Sequence, residues 1–200
     1  MYNEYIENQI KADEEPEHTI EGGQINETPG NLFDYENDYA LAHCISADFA
    51  LGAGIAKYFQ ARYGTRDELR QAFPQYQWNG KGYCLVTNNN RVFNLVTKSR
   101  YFEKPTLASL REALVSMKEI SEERGIHKIA MPRIGCGLDK LNWQDVKDII
   151  IDVYGGSDHD LRIVYLEEYY KGSIIDPDME RINFGKDRKH IDGNLEKKYF

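Results

Sequence analysis

Met131-Pro132-Arg133-Ile134-Gly135-Cys136-Gly137-Leu138-Asp139 decides how this 200-residue chain is read. The run in front of it, His127-Lys-Ile-Ala-Met131, has the apolar pattern of a short strand. Two glycines one residue apart then let the backbone turn and approach a bound group closely. Ligands of open α/β sheets sit beyond the carboxyl ends of strands, where this loop begins. A second segment of the same kind lies upstream. Tyr39-Ala-Leu-Ala-His-Cys-Ile45 is a buried-strand run, and Leu51-Gly52-Ala53-Gly54 leads from it into Ile55-Ala56-Lys-Tyr-Phe-Gln-Ala-Arg-Tyr63. Ile55, Tyr58, Phe59 and Tyr63 make one broad helical face, with Arg62 interrupting the stripe and Gly64 as the stop. Either glycine loop alone reads as a tight turn. Neither completes a GxGxxG fingerprint nor a GKS/GKT loop. Together, after two strands, they predict a cradle for an anionic ligand, with backbone amides and a helix N-terminus facing it.

Working outward, a short helix is expected over Arg66–Ala72, ending near Pro74. Gly82–Thr87 and Arg91–Thr97 read as two strands joined by Asn88-Asn89-Asn90, since asparagine tolerates left-handed turns. Thr106 caps a helix to about Arg124 with the stripe Leu107, Leu110, Leu114, Met117 and Ile120, and Gly125 ends it. Asn142 caps another through about Val153, and Leu161–Leu166 is a last strand. This order predicts an α/β fold: a mixed central sheet with helices on both faces. Three segments are expected: an acidic arm over 1–29, the domain over 30–168, and a polar, aromatic-bearing extension over 169–200. The alternative for the arm is that His18-Thr19-Ile20 adds an edge strand. No internal repeat is visible.

Bulk properties narrow the function. The net charge is −8 and the hydrophobic content 41%, an ordinary globular composition. An acidic surface repels nucleic-acid backbones, so no strong nucleic-acid signal is present. No apolar run approaches the ~20 residues that span a bilayer, and the acidic start lacks the core of a secretory signal. Cys44, Cys84 and Cys136 are odd in number and widely spaced. That argues against a disulfide framework and a metal site, and for a reducing, cytoplasmic compartment. A monomer is expected.

Lys98 ends a predicted strand, and Asp139 ends the second glycine loop. At one sheet edge they face one pocket, where an amine serves as nucleophile and a carboxylate moves protons. Taken singly, the lysine reads as a solvated residue and the aspartate as a helix-approach cap; spacing alone names no enzyme. His43 reads as a packed core histidine. Cys136 matters through its amide more than its thiol, and Trp143 as packing at a helix start. Asp48 either borders a ligand or is ordinary loop polarity.

His43-Cys-Ile-Ser46, Gly52–Ala56, Leu95-Val-Thr-Lys98, Lys104-Pro-Thr106 and Met131–Asp139, with Trp143 beyond, resemble the macro domains of the terminal ADP-ribose protein glycohydrolase type. The resemblance covers about residues 30 to 168. It implies a three-layer macro-domain fold and ADP-ribose, free or attached to a substrate, as the partner. The diphosphate is then held between Gly52, Ala53, Gly54, Ile55 and Ala56 on one side and Ile134, Gly135, Cys136, Gly137 and Leu138 on the other. Ser46, Asp48, Thr97 and Pro132 border the same ligand. Lys98 attacks the distal ribose to form a lysyl adduct, and Asp139 assists its breakdown. The substrates implied are ADP-ribose on a glutamate or aspartate side chain or on a nucleobase, with no metal or organic cofactor. One departure stands out. The family has a Gly-Asp pair at the adenine, and here the match is Gly30-Asn31, followed by Leu32. Asparagine still accepts a hydrogen bond but adds no charge. Hydrolysis of ADP-ribosyl groups is the leading expectation. A non-catalytic reader of ADP-ribose and a phosphatase of phosphorylated ADP-ribose are the alternatives.

Overall fold

Alternation along the strands builds the molecule. In the computed structural model, residues 19–20 and 23–166 are described. Their strands are β1 Thr19–Ile20, β2 Gly23–Pro29, β3 Ala40–Ser46, β4 Tyr83–Thr87, β5 Val92–Lys98, β6 Lys128–Pro132 and β7 Asp160–Tyr165. The helices are α1 Gly54–Tyr63, α2 Thr65–Ala72, α3 Leu107–Glu123 and α4 Trp143–Tyr154, with a 3-10 turn at Leu32–Tyr35. The seven strands form one sheet in the order β1-β2-β7-β6-β3-β5-β4. The five inner strands pair in parallel, and β1 and β4 are antiparallel at the two edges.

Period-two patterning sends alternate residues to opposite faces. Ala40, Ala42, Phe93, Leu95, Ile129, Met131, Leu161 and Ile163 pack with Leu110, Leu114, Met117, Val146 and Ile150 of α3 and α4. Leu41, Val92, Ala130 and Val164 pack with Leu32 and Phe59 on the opposite face, and Ile45, Leu85 and Val96 pack with Leu69 there. Both faces are covered, which is why the inner strands read as nearly continuous apolar runs. Each fully buried Leu, Ile, Phe or Met contributes roughly 1.5–3 kcal/mol of transfer free energy.

Residues 23–29 were expected to end the acidic arm. They form β2 instead, in register with β7 from Gln24–Asp160 to Pro29–Tyr165, so the domain extends at least to Gly23. Ile25 is the only large apolar residue of this strand. Its anchor is tertiary: the Glu27 carboxylate accepts from Arg133 at 2.7 Å and meets Lys147 at 2.9 Å. Burial works against the charge, yet the bonds from Lys147 and Arg133 hold this carboxyl below its ordinary range. Thr19–Ile20 does add the edge strand. Residues 1–18 and the expected extension 169–200 lie outside the described residues.

A polar row crosses the core under α1. His43 stacks on Phe59, with ring centroids 3.8 Å apart. Its Nε2 meets the Asn94 side-chain oxygen at 2.8 Å. Asn94 in turn donates to Leu85 O at 3.1 Å and Thr87 Oγ1 at 3.0 Å. Complete burial pulls the His43 pKa from its ordinary 6.5 to about 4, against the opposing effect of the Asn94 bond. His43 is thus a neutral packing group, as the sequence suggested.

The unfolded chain binds a proton at His43 near pH 6.5, whereas the folded chain does so only near pH 4. Stability should therefore hold above about pH 7 and fall as pH drops from 6.5 toward 4, by on the order of 3 kcal/mol. Thermal unfolding at pH 7.5, 6.0 and 5.0 checks this. A His43→Gln variant should lose much of the slope, the remainder coming from His159, which burial shifts in the same direction.

Candidate active site

The carboxyl ends of β3, β5 and β6 deliver three loops to one rim. β3 runs into residues 47–53, β5 into 99–106 and β6 into 133–142. Where β5 meets β3 the register breaks. Ile45 pairs with Val96, but Ser46 pairs with Lys98, leaving Thr97 as the extra residue of a bulge. Bulges bend a strand and re-aim its side chains. Here the irregularity sits immediately before Lys98. Thr97 is buried, and its carbonyl accepts from Ser109 Oγ of α3 at 2.7 Å, which fixes the bulge against the helix.

Lys98 Nζ lies 2.5 Å from Asp139 Oδ1, with side chains only 12% and 14% exposed. The amine and carboxylate expected from sequence to share a site are therefore in direct contact, from two different loops. The two thiols nearby are poor nucleophiles. Burial, reinforced by the Asp139 charge, raises the pKa of Cys44, and burial lifts that of Cys136 to about 11.

The two glycine loops also meet. A Cβ placed on Gly54 would lie 3.5 Å from Leu138 Cδ1, in a left-handed backbone (φ 54°) that glycine adopts readily. Gly135 has φ 72°, and a Cβ there would stand 2.8 Å from Leu141 Cδ1. Helix α1 opens on this junction. Its cap, Ala53, provides no side-chain hydrogen bond and its first turn carries no acid. Thr106 and Asn142, by contrast, cap α3 and α4 with their side chains. The first amides of α1 thus face the loops with the positive end of the helix, a setting suited to an anion.

The remaining residues named from sequence divide into two groups. Ser46 donates to Asp48 Oδ1 at 2.5 Å, and Asp48 also accepts from Ala50 N at 3.3 Å and Tyr101 N at 3.1 Å. Gly52, Ala53, Gly137 and Leu138 are exposed, Ile55, Ala56, Pro132 and Cys136 half-buried, and Ile134 buried. Asn31 is engaged in capping: its side chain accepts from Phe33 N at 3.1 Å at the start of the 3-10 turn. Leu32 is buried with Phe59 and Val164, so its side chain belongs to the core.

Sequence reading passed over two features. Lys104 Nζ donates to Leu138 O at 2.6 Å, tying the loop after β5 to the second glycine loop. Arg133 stacks over Tyr165 (4.5 Å) and Trp143 (5.2 Å) while pairing with Glu27. The partners of Arg133 come from separate parts of the chain, Glu27, Trp143 and Tyr165, so no local pattern announces them. Among the described residues, no three His, Cys, Asp or Glu are grouped to hold a metal, and no helix is long and apolar enough to cross a membrane.

The macro domain family model matches residues 42–150, more than half of the chain. This chain belongs to the macro domain family. Two mammalian relatives are similar along most of their length. The Bos taurus ADP-ribose glycohydrolase OARD1 is 38% identical over 143 residues, covering 72% of this chain and 92% of that protein. Its Homo sapiens counterpart is 38% identical over 138 residues, covering 69% and 89%. Among solved structures, the macrodomain of Mycobacterium tuberculosis DarG superposes with a TM-score of 0.62 at 24% identity, covering 72% of this chain and 99% of that one. At that identity the likeness concerns the fold.

In this macro domain, Asp48 is the knot between the loops after β3 and β5. Asp48→Ala should leave the global melting point within a few degrees but speed hydrogen exchange at the Tyr101 amide by about ten-fold or more, since one charge-assisted bond contributes ~1.5–3 kcal/mol. Unchanged exchange at that amide would show that Asp48 does not hold the loop.

Proposed function

We propose that this macro domain hydrolyses ADP-ribosyl groups from a protein carboxylate or a nucleobase, with Lys98 as nucleophile and Asp139 as the proton carrier. The observation that carries the reading is the 2.5 Å contact of Lys98 Nζ with Asp139 Oδ1 at the rim where the two glycine loops meet. The names of the OARD1 relatives support the glycohydrolase class. A relative called DNA ADP-ribosyl glycohydrolase from Mycobacterium tuberculosis, 24% identical over 124 residues, supports including the nucleobase linkage. The three unpaired cysteines fit a reducing compartment such as the cytoplasm.

The diphosphate lies against the amides of Gly52–Ala56 and Ile134–Leu138, placing the distal ribose over Lys98. Attack needs the neutral amine, so Asp139 takes the ammonium proton. The lysine nitrogen bonds to the anomeric carbon of the distal ribose as that carbon's bond to the carboxylate oxygen or base nitrogen breaks. The leaving group takes the electron pair. The protonated Asp139 gives its proton to a departing base nitrogen, or to water when a carboxylate leaves, and is a carboxylate again. It then removes a proton from the water that adds to the same carbon as that carbon's bond to Lys98 breaks. The lysine departs with that electron pair as a neutral amine, and ADP-ribose is released. Asn31 sits where the family carries an aspartate, and offers adenine a neutral acceptor in place of a charged one.

Lys98→Ala should lower release of ADP-ribose by about 100-fold or more, on every linkage that the parent cleaves. Free ADP-ribose should still bind, as read by calorimetry. Asp139→Ala removes both the base that frees the amine and the base that activates water, so release should fall as in the Lys98 variant. Raising the pH frees the amine without Asp139, and denaturing mass spectrometry of that variant with substrate should then show a lysyl adduct at Lys98. Undiminished release by the Lys98 variant would remove the nucleophile. Tight ADP-ribose binding with no product on glutamate, aspartate, arginine, serine, nucleobase or phosphate linkages would make the domain a reader.

A further inference from the structure

Six large apolar side chains are exposed among the described residues, and three of them crowd the rim beside Lys98: Tyr101 at 66%, Phe102 at 70% and Leu138 at 47%. Tyr101 and Phe102 are the two most exposed. Their loop is pinned. Tyr101 N donates to Asp48 Oδ2 at 3.1 Å, toward the loop after β3. Lys104 Nζ donates to Leu138 O at 2.6 Å, toward the second glycine loop. Between these ties the turn closes on itself through Glu103 N to Arg100 O at 3.1 Å and Arg100 N to Glu103 Oε2 at 3.3 Å. The chain thus holds two aromatic rings in water, edge to face at 5.3 Å and 87°, three and four residues beyond Lys98. Among the described residues, no hydrophobic cluster includes them.

We propose that Tyr101 and Phe102 form a stacking platform for the nucleobase that carries the ADP-ribosyl group, so that this domain favours nucleobase-linked over carboxylate-linked substrates. The inference rests on the hydrolase reading for its substrate, and it names which of the two linkages is preferred. Position points to the occupant: the loop starts directly after Lys98 and is tied to the loop after β3 and to the second glycine loop, so it borders the place assigned to the distal ribose. Size excludes a folded partner. Two aromatic side chains offer at most roughly 300–500 Å², against about 800 Å² per partner in a stable protein interface. Chemistry then separates the two leaving groups. A base has a π-face for an aromatic ring, whereas a glutamate or aspartate side chain has none. Arg100, exposed in the same turn, adds a cation suited to a phosphate next to that base. The net charge of −8 disfavours a long nucleic-acid track, so recognition is confined to the base and its immediate neighbours.

The test uses the full chain carrying Lys98→Ala, which keeps substrates intact. Fluorescence anisotropy measures its affinity for a short single-stranded oligonucleotide with one ADP-ribosylated base, for an ADP-ribosyl-glutamate peptide and for free ADP-ribose. Adding Tyr101→Ala with Phe102→Ala should weaken oligonucleotide binding by about ten-fold or more and leave the other two within two-fold. Tyr101→Phe with Phe102→Tyr, which keeps both rings, should retain the affinity. If the modified oligonucleotide binds no tighter than free ADP-ribose, the platform is wrong. The same holds if alanine at both positions weakens peptide and oligonucleotide equally, or neither. Turnover by the chain with its native Lys98 is scored separately. Absent release alongside ring-dependent oligonucleotide binding would end the hydrolase reading and leave the platform standing. Normal release with ring-independent binding would do the reverse.

Discussion

Parallel pairing of the inner strands is the constraint on which the rest hangs. Because β3, β5 and β6 run the same way, their carboxyl ends fall on one rim, and each connection to the next helix starts there. Lys98 arrives from β5 and Asp139 from the loop after β6, with the β3 partner strand between their two strands in the sheet. A reversal of any one of these strands would move its loop to the far end of the molecule and take one member of the pair with it. The ion pair is a consequence of topology before it is a matter of side-chain chemistry.

Precision at that rim comes from rigid neighbours. The bulge at Thr97 would be a weak point in an exposed strand, but Ser109 of α3 bonds its carbonyl and the surrounding residues are buried. Helix α3 is itself fixed by a capping box between Thr106 and Ser109. One serine therefore serves both the helix start and the strand irregularity next to Lys98. On the other side, Glu27, Arg133 and Lys147 link β2, the second glycine loop and α4. The glycine loops meet at the start of α1, where the cap residue gives no side-chain hydrogen bond, and Lys104 ties the second of them through the Leu138 carbonyl.

Much of this was legible in the sequence because it is local. Compact apolar runs marked β3 to β7. Thr106 and Asn142 marked helix starts, Gly64 and Gly125 helix ends, and the three asparagines, all with positive φ, the β4–β5 turn. The pairing of Lys98 with Asp139 was expected from strand-end placement, and the contact agrees. What escaped was tertiary. β2 carries a single large apolar residue and is stabilised by partners more than 100 positions away. The 3-10 turn at Leu32–Tyr35 buries Leu32 in one cluster with Phe59, a partner 27 positions on. The bulge at Thr97 leaves no trace in the pattern of Leu95-Val-Thr-Lys98, because both residues around it suit a strand.

One feature of the sheet bears on how the chain is made. β7 is the last described strand, and it inserts between β2 and β6, so that Gln24, beside Thr19 on one side, finds its β7 partner only when Asp160 exists. During synthesis the early strand must wait for well over a hundred residues to emerge before its edge is covered. Contacts of such separation form slowly, and an unpaired edge invites other strands. The polar make-up of Gly23-Gln-Ile-Asn-Glu-Thr-Pro29 suits that delay. A strand that must idle beside the ribosome is safer if it is too hydrophilic to stick to its neighbours.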